Sequence, residues 1–175
     1  MPVTSSTPAN LVVGAGDVYV DGAILGASID NNVFRIERGY YTPSLNGVKG
    51  ALIGTTYIQS SKGVLETSIP EVSAAILADL WPGSQQSSLG TTINIDEDGT
   101  RRIPTSSYHD WELRCPRLNG GHFGFQVSDG LNTGNLEFTA SDSGVVAPRA
   151  VVESHWDANN TNVAPHRIRI DVLGS

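Results

Sequence analysis

The sequence predicts a mainly β protein: a β-sandwich or partly closed barrel with one short flanking α-helix. Three observations carry that prediction. Short runs alternate apolar and polar side chains along much of the chain, the period of a half-buried strand. Glycine, with 19 residues, and Asn-Gly and Asp-Gly pairs punctuate those runs. Helical spacing of apolar residues appears in one stretch, about 69–81. A lone short helix is not stable by itself and must lie on a sheet.

Residues 1–10 are polar, contain Pro2 and Pro8, and read as a flexible N-terminal arm. Residues 11–175 read as a single domain. Val18 and Val20 alternate with Asp17, Tyr19 and Asp21, and Asp21-Gly22 supplies a tight hairpin turn toward Ala23-Ile24-Leu25-Gly26. Asp30-Asn31-Asn32 forms another turn. From Val33 to Tyr40, Phe34 and Ile36 share one face of a strand while Arg35 and Glu37 share the other.

The segment 41–54 contains Pro43, Asn46-Gly47, Gly50 and Gly54, which break regular structure. It is too long for a tight hairpin. With Tyr40, Tyr41, Leu45, Val48 and Leu52 it is also too apolar for a simple linker, the composition of a loop ordered on assembly. Leu65, Thr67 and Ile69 then share a strand face.

The helix follows. Ser68 and Glu71 have the spacing of a capping box, and Pro70 suits the first turn. Val72, Ala75, Ile76 and Leu80 recur on one helical face, and Pro82-Gly83 ends it.

Ser84 to Ser88 loosen the composition, and the region 84–107 is a loop or an added hairpin. Thr91–Ile95 is a short strand candidate with Asp96-Glu97-Asp98-Gly99 as its turn. Trp111, Leu113 and Cys115 alternate with Glu112 and Arg114 in a clear strand that Pro116 ends. After Asn119-Gly120-Gly121, Phe123, Phe125 and Val127 mark the return strand. Leu136, Phe138 and Ala140 alternate with Glu137 and Thr139 in the next, and Val145–Ser154 is a weaker candidate. Near 166–173, Ile168, Ile170 and Val172 oppose Arg167, Arg169 and Asp171.

The net charge of −7, with no basic cluster beyond Arg101-Arg102, excludes ordinary nucleic-acid binding by phosphate neutralisation. No apolar run approaches the ~20 residues that span a bilayer. The N-terminus lacks the basic and apolar regions of a secretory signal. One cysteine rules out an internal disulfide and fits folding in a reducing cytoplasm.

Candidate chemistry is thin. His109-Asp110 has the look of half a catalytic triad, but no Gly-x-Ser-x-Gly elbow accompanies it. Cys115 lies on an apolar strand face and reads as an inert buried thiol. Asp96-Glu97-Asp98-Gly99 has calcium-loop carboxylate density, but Ser107 stands where the bidentate glutamate belongs. Gly14-Ala15-Gly16 lacks the third glycine of a dinucleotide fingerprint. Trp81, Trp111 and Trp156 raise a sugar platform, but packing accounts for the first two. The expectation is no enzyme, no metal and no cofactor.

Three segments resemble a known family: FRIERGYYTPSLNGVKGAL, GVLETSIPEVSAAILADLWPG and NLEFTASDSGVVAPRAVVESHW. An acidic turn after the first strand, an aromatic strand running into a Pro-containing loop, and a strand turning directly into a Gly-terminated helix look like the major tail tube protein of long-tailed, siphovirus-like bacteriophages. The likeness covers about half the chain. It implies a β-sandwich flanked by a helix, whose copies form hexameric rings that stack into a hollow virion tube made in the host bacterial cytoplasm. Other tail proteins would meet the tube ends, and DNA would pass through without specific binding. By position, the inter-ring loop would carry Tyr40, Tyr41, Leu45, Val48, Lys49 and Leu52.

The C-terminal run Arg167, Ile168, Arg169, Ile170 and Asp171 would be either a subunit-edge strand pairing with a neighbour or an ordinary strand of its own sheet. Glu37, Glu66 and Glu137, on polar strand faces, are lumen candidates that would repel DNA. The alternative from another class is a carbohydrate- or receptor-binding β-sandwich module of a tail tip or adhesin.

Overall fold

The computed structural model describes residues 16–28, 32–43, 53–69, 73–86, 93–94, 103–117, 121–137, 140–141, 144–145, 148–159 and 162–170. In chain order the elements are β1 (Asp17–Val20), β2 (Ala23–Ala27), β3 (Val33–Tyr41), β4 (Tyr57–Ser68) and α1 (Ala74–Leu80). There follow β5 (Gln85–Gln86), β6 (Ile93–Asn94), β7 (Tyr108–Pro116), β8 (His122–Asn132), β9 (Ala140–Ser141) and β10 (Gly144–Val145). β11 (Arg149–Ser154) and β12 (His166–Ile170) complete the set. The protein is mainly β with one short helix among the described residues, as the alternating pattern predicts.

Eight of these strands form one sheet in the order β2-β1-β7-β8-β11-β4-β3, with β12 also paired to β8. Every pairing is antiparallel. The end strands β2 and β3 do not pair with each other, so the sheet is open. It nonetheless coils back on itself, because Phe34 of β3 lies 5.2 Å from Phe125 of β8, ring centroid to ring centroid.

The inward face follows from period-2 alternation. Val18 and Val20 of β1, Trp111 and Leu113 of β7, Val127 of β8, Leu65 of β4 and Val152 of β11 are all buried there. Leu77 and Leu80 of α1, with Trp81 after it, cover this core. Asp21 and Gly22 have φ of 50° and 80°, the double positive φ of the tight hairpin turn expected at that pair.

The helix begins later than its sequence signals predict. Its N-cap is Ser73, whose Oγ accepts the Ile76 N–H at 3.2 Å. Ser68 ends β4 instead: it pairs with Arg149 of β11, and the next N–H, of Ile69, donates to the Pro148 carbonyl at 2.8 Å. The sheet ladder claims that backbone before a capping box can form. Pro70, Glu71 and Val72 lie outside the described residues. The late start also leaves Ala75 exposed and makes Leu77 and Leu80 the buried pair, with Ile76 packed partly against the core.

Two strand expectations need correction. Of the 136–140 candidate, Leu136 and Glu137 are not in a strand, although Leu136 packs partly against the core, and Ala140 begins the short β9. The Asn132 Oδ1 accepts the N–H groups of Gly134 and Val151, both at 3.1 Å, and turns the chain out of β8. Phe138 and Thr139 lie outside the described residues. Conversely, the weak candidate 145–154 contains a central strand, β11, between β4 and β8. Its inward residues are Ala150, Val152 and Ser154, two of them small or polar, which mutes the apolar signal. Of the 91–95 candidate, Ile93–Asn94 pairs with Gln85–Gln86, the added-hairpin option for that region.

At Gly130 a Cβ would lie 2.6 Å from Val152 Cγ1, 3.0 Å from Val127 Cγ1 and 3.1 Å from Trp111 Cδ1. All three neighbours are fully buried. We expect Gly130→Ala to cost about 1–3 kcal/mol through overpacking, measured as a lower urea midpoint. An unchanged midpoint would mean the core is looser than these contacts indicate.

Candidate assembly surface

β4 is twelve residues long, but β11 covers only Val64–Ser68 of it. Among the described residues the rest of β4 pairs only with β3, from Ile36↔Gly63 to Tyr41↔Tyr57. This part of the β3–β4 pair is a two-stranded ribbon extending past β11. A register shift at Gly39/Tyr40 places Tyr40 opposite Ile58 and Tyr41 opposite Tyr57. Successive pairs point to opposite faces, so both faces of the tip are aromatic or aliphatic. Tyr40, Tyr41, Tyr57 and Ile58 are 60%, 54%, 60% and 58% exposed. Ile53, before the ribbon's return strand, is fully exposed.

Two-stranded ribbons are marginally stable alone, and clustered exposed apolar side chains mark interaction surfaces. Tyr40 and Tyr41 were legible as loop-flanking aromatics. Ile53, Tyr57 and Ile58 were missed, because Thr56-Tyr57-Ile58-Gln59 is too short to reveal its register without its partner strand. Leu45, Val48, Lys49 and Leu52 lie outside the described residues.

One face of β3, β4 and β11 carries a charge lattice. Arg35 bonds both Glu37 and Glu66, and Arg149 reaches Glu66 at 2.8 Å. Lys62 lies 2.9 Å from Glu153 and 3.6 Å from Glu37. The Arg35 hydrogen bond is the main reason that the Glu66 carboxyl is held below its ordinary range, and the same holds for Glu37. Three carboxylates thus meet three cations over buried Val64. Glu37 and Glu66 share this charge-balanced face. Glu137 is exposed but lies outside any strand, so it does not share a strand face with them.

β12 pairs with β8 through all five residues, from His166↔Val127 to Ile170↔Phe123. Arg167 donates to the Gln126 side chain at 2.7 Å, Arg169 lies 3.8 Å from Glu112, and Ile168 is half exposed. Asp171 and Val172 lie outside the described residues. The strand therefore belongs to its own subunit's sheet, and among the described residues its other edge carries no ladder partner.

At that edge His166 sits against Gly63, where any Cβ would collide with its own Cβ. The Gly63 N–H donates to Ser154 Oγ at 2.8 Å, and Ser154 Oγ lies 3.3 Å from His166 Nδ1. His166 Nε2 lies 3.1 Å from Ser61 Oγ. The neutral ring with its proton on Nε2 satisfies this chain, accepting from Ser154 and donating to Ser61.

His109 is paired, though not with Asp110. Its Nδ1 lies 2.7 Å from Asp21 Oδ2 and its Nε2 3.3 Å from the Asp79 carbonyl. Both partners, a carboxylate and a backbone carbonyl, are hydrogen-bond acceptors. Burial pushes the Asp21 carboxyl up, but the His109 hydrogen bond, the Asp110 N–H and the His109 charge together bring it below its ordinary value. The ring ties the first hairpin, β7 and the end of α1 together, with both nitrogens engaged.

No family model matches the chain. No curated protein matches it significantly in sequence.

Cys115 is buried, and burial followed by the Asp17 charge pushes its thiol up, away from the reactive thiolate. Trp81 and Trp111 are buried, while Trp156 is 46% exposed. Among the described residues no group of three or more His, Cys, Asp or Glu side chains is placed to hold a metal ion. Gly14 and Ala15, and the acidic turn 96–99, lie outside the described residues.

Burial, followed by the Arg38 charge, lowers the His166 pKa below its ordinary 6.5. The unfolded chain therefore takes up this proton more readily than the folded one. The stability linked to His166 is complete above pH 6.5 and declines as the pH falls from there to the lower native value. We expect Tm to fall over that window and the slope to flatten in His166→Gln. An identical slope in that variant would show that other groups control the decline. The Asp21 and Glu66 carboxylates add their own loss only as the pH falls from their ordinary values, 3.8 and 4.5, toward their lower native ones.

Proposed function

We infer that this chain is a structural subunit that self-assembles into stacked rings, the tail tube of a long-tailed bacteriophage, and carries DNA from capsid to host without catalysis. The observation that supports the reading best is the β3–β4 ribbon, whose tip is apolar on both faces and unsupported by its own sheet. A surface of that kind is stabilised by a different surface on a neighbouring copy, the heterologous contact from which rings and stacks are built. The open sheet edges β2 and β3 offer further backbone groups for such contacts.

The net charge of −7 fits a conduit, because a negative interior repels the DNA backbone and keeps it moving. The lumen need not be lined by the charge-balanced face of Glu37 and Glu66. The virion would be the protein's location, with hexameric rings as the form its likeness implies. Among the described residues no helix is long and apolar enough to cross a membrane.

Negative-stain microscopy of the concentrated full-length protein tests the reading. Rings or tubes are expected for the native sequence. The double variant Tyr40→Ser, Tyr57→Ser should remain monomeric with an unchanged Tm, since both side chains are exposed in the subunit. Native protein that stays monomeric at every concentration contradicts the reading.

A further inference from the structure

The tube reading leaves unused a groove beside the β7–β8 pair. His109 pairs with Gly130 and Trp111 with Val127, so Asp110 opposes both Ser128 and Asp129. That is a β-bulge, and Asp129 takes the left-handed φ of 48° within it. The segment after β11 crosses this kink, with the His155 N–H donating to the Asp129 carbonyl at 3.2 Å. Between them lies a cavity of about 640 Å³, within the range of small-molecule sites. A second cavity of about 230 Å³ shares Asp129 and Asp157 with it and continues toward Arg167.

The lining combines two kinds of surface. Ile103, Tyr108 and Trp156 provide flat apolar area. The Trp156 Nε1 is anchored on the Ser61 carbonyl at 3.3 Å, and Tyr108 meets His155 edge-on at 5.1 Å, so both rings are held in place. Asp129, Asp157 and Asn159 provide polar groups beside them. The Asp157 carboxylate is fixed by the Asn159 N–H at 2.8 Å and keeps lone pairs to spare.

We propose that this groove binds a neutral saccharide, whose ring stacks on Trp156 and Tyr108 and whose hydroxyls bond Asp129, Asp157 and Asn159. A sugar ring offers an apolar C–H face and a rim of hydroxyls that both donate and accept. The groove matches both, because carboxylates accept while the Asn159 amide also donates. Among the described residues no lysine or arginine lines the larger cavity, so an acidic sugar would meet Asp129 and Asp157 without a counter-charge from them. An ammonium ion only donates and would leave the amide donors unanswered. The proposal does not rest on the tube reading.

Titration of the full-length protein with glucose, galactose, mannose, N-acetylglucosamine and their disaccharides tests it, followed by tryptophan fluorescence and saturation-transfer NMR. Trp156 is the exposed tryptophan among three, so its stacking reports directly. At least one sugar should saturate the signal by about 20 mM, a concentration that fills a millimolar site. Trp156→Ala and Asp157→Asn should each weaken that binding about tenfold while Tm stays unchanged. No saturable sugar, binding that survives both variants, or saturation by choline or arginine alone would overturn the proposal. Loss of binding in a protein that still forms tubes would separate its failure from that of the assembly reading.

Discussion

A mismatch of lengths governs this structure. β4 runs for twelve residues, whereas the strand on its inner side supports only the last five. Hydrogen bonding along β3 holds the rest in extended form, but cross-strand pairing without a second layer buries little apolar area. The unsupported half ends in two tyrosines and a Tyr-Ile pair that are all more than half exposed in the subunit. The chain thus folds around one well-filled core while leaving a built, aromatic extension outside it.

The boundary between the supported and unsupported halves is chemically marked. Where β11 ends, its last residue, Ser154, bonds the Gly63 N–H, and His166 of β12 occupies the space that the missing Gly63 side chain leaves. β12 continues along β8 where β11 leaves off, and its side-chain contact with Ser61 reaches the first exposed stretch of the ribbon. A change at this small polar cluster therefore bears on the ribbon's base and the last strand together. The ion lattice on the opposite face secures β3 to β4 and β11 with balanced charge, which adds orientation more than stability because most of its members are exposed.

Much of this was legible in the sequence. The Asp21-Gly22 turn, the β7 and β8 cores and the alternating His166–Ile170 run follow from period and turn chemistry that single residues reveal. The signals that failed were those settled by partners far along the chain. Ser68 belongs to a strand because Arg149 and Pro148 claim the adjoining backbone. β11 was faint because its inward residues include alanine and serine, and Leu136–Glu137 was overread because the Asn132 side chain turns the chain out of β8 just before it. At the assembly surface, Tyr40 and Tyr41 stood out, but the exposure of Tyr57 and Ile58 depends on a register shift that no local pattern encodes.

The central claim is that a second copy completes the ribbon. Amide hydrogen exchange at Arg38–Tyr41 and Tyr57–Ser61, followed as protein concentration rises, tests it most directly. The account predicts fast exchange in dilute protein and strong protection once particles form, while Val64–Ser68 stays protected throughout. Exchange at the ribbon that is equally slow or equally fast at every concentration would contradict it.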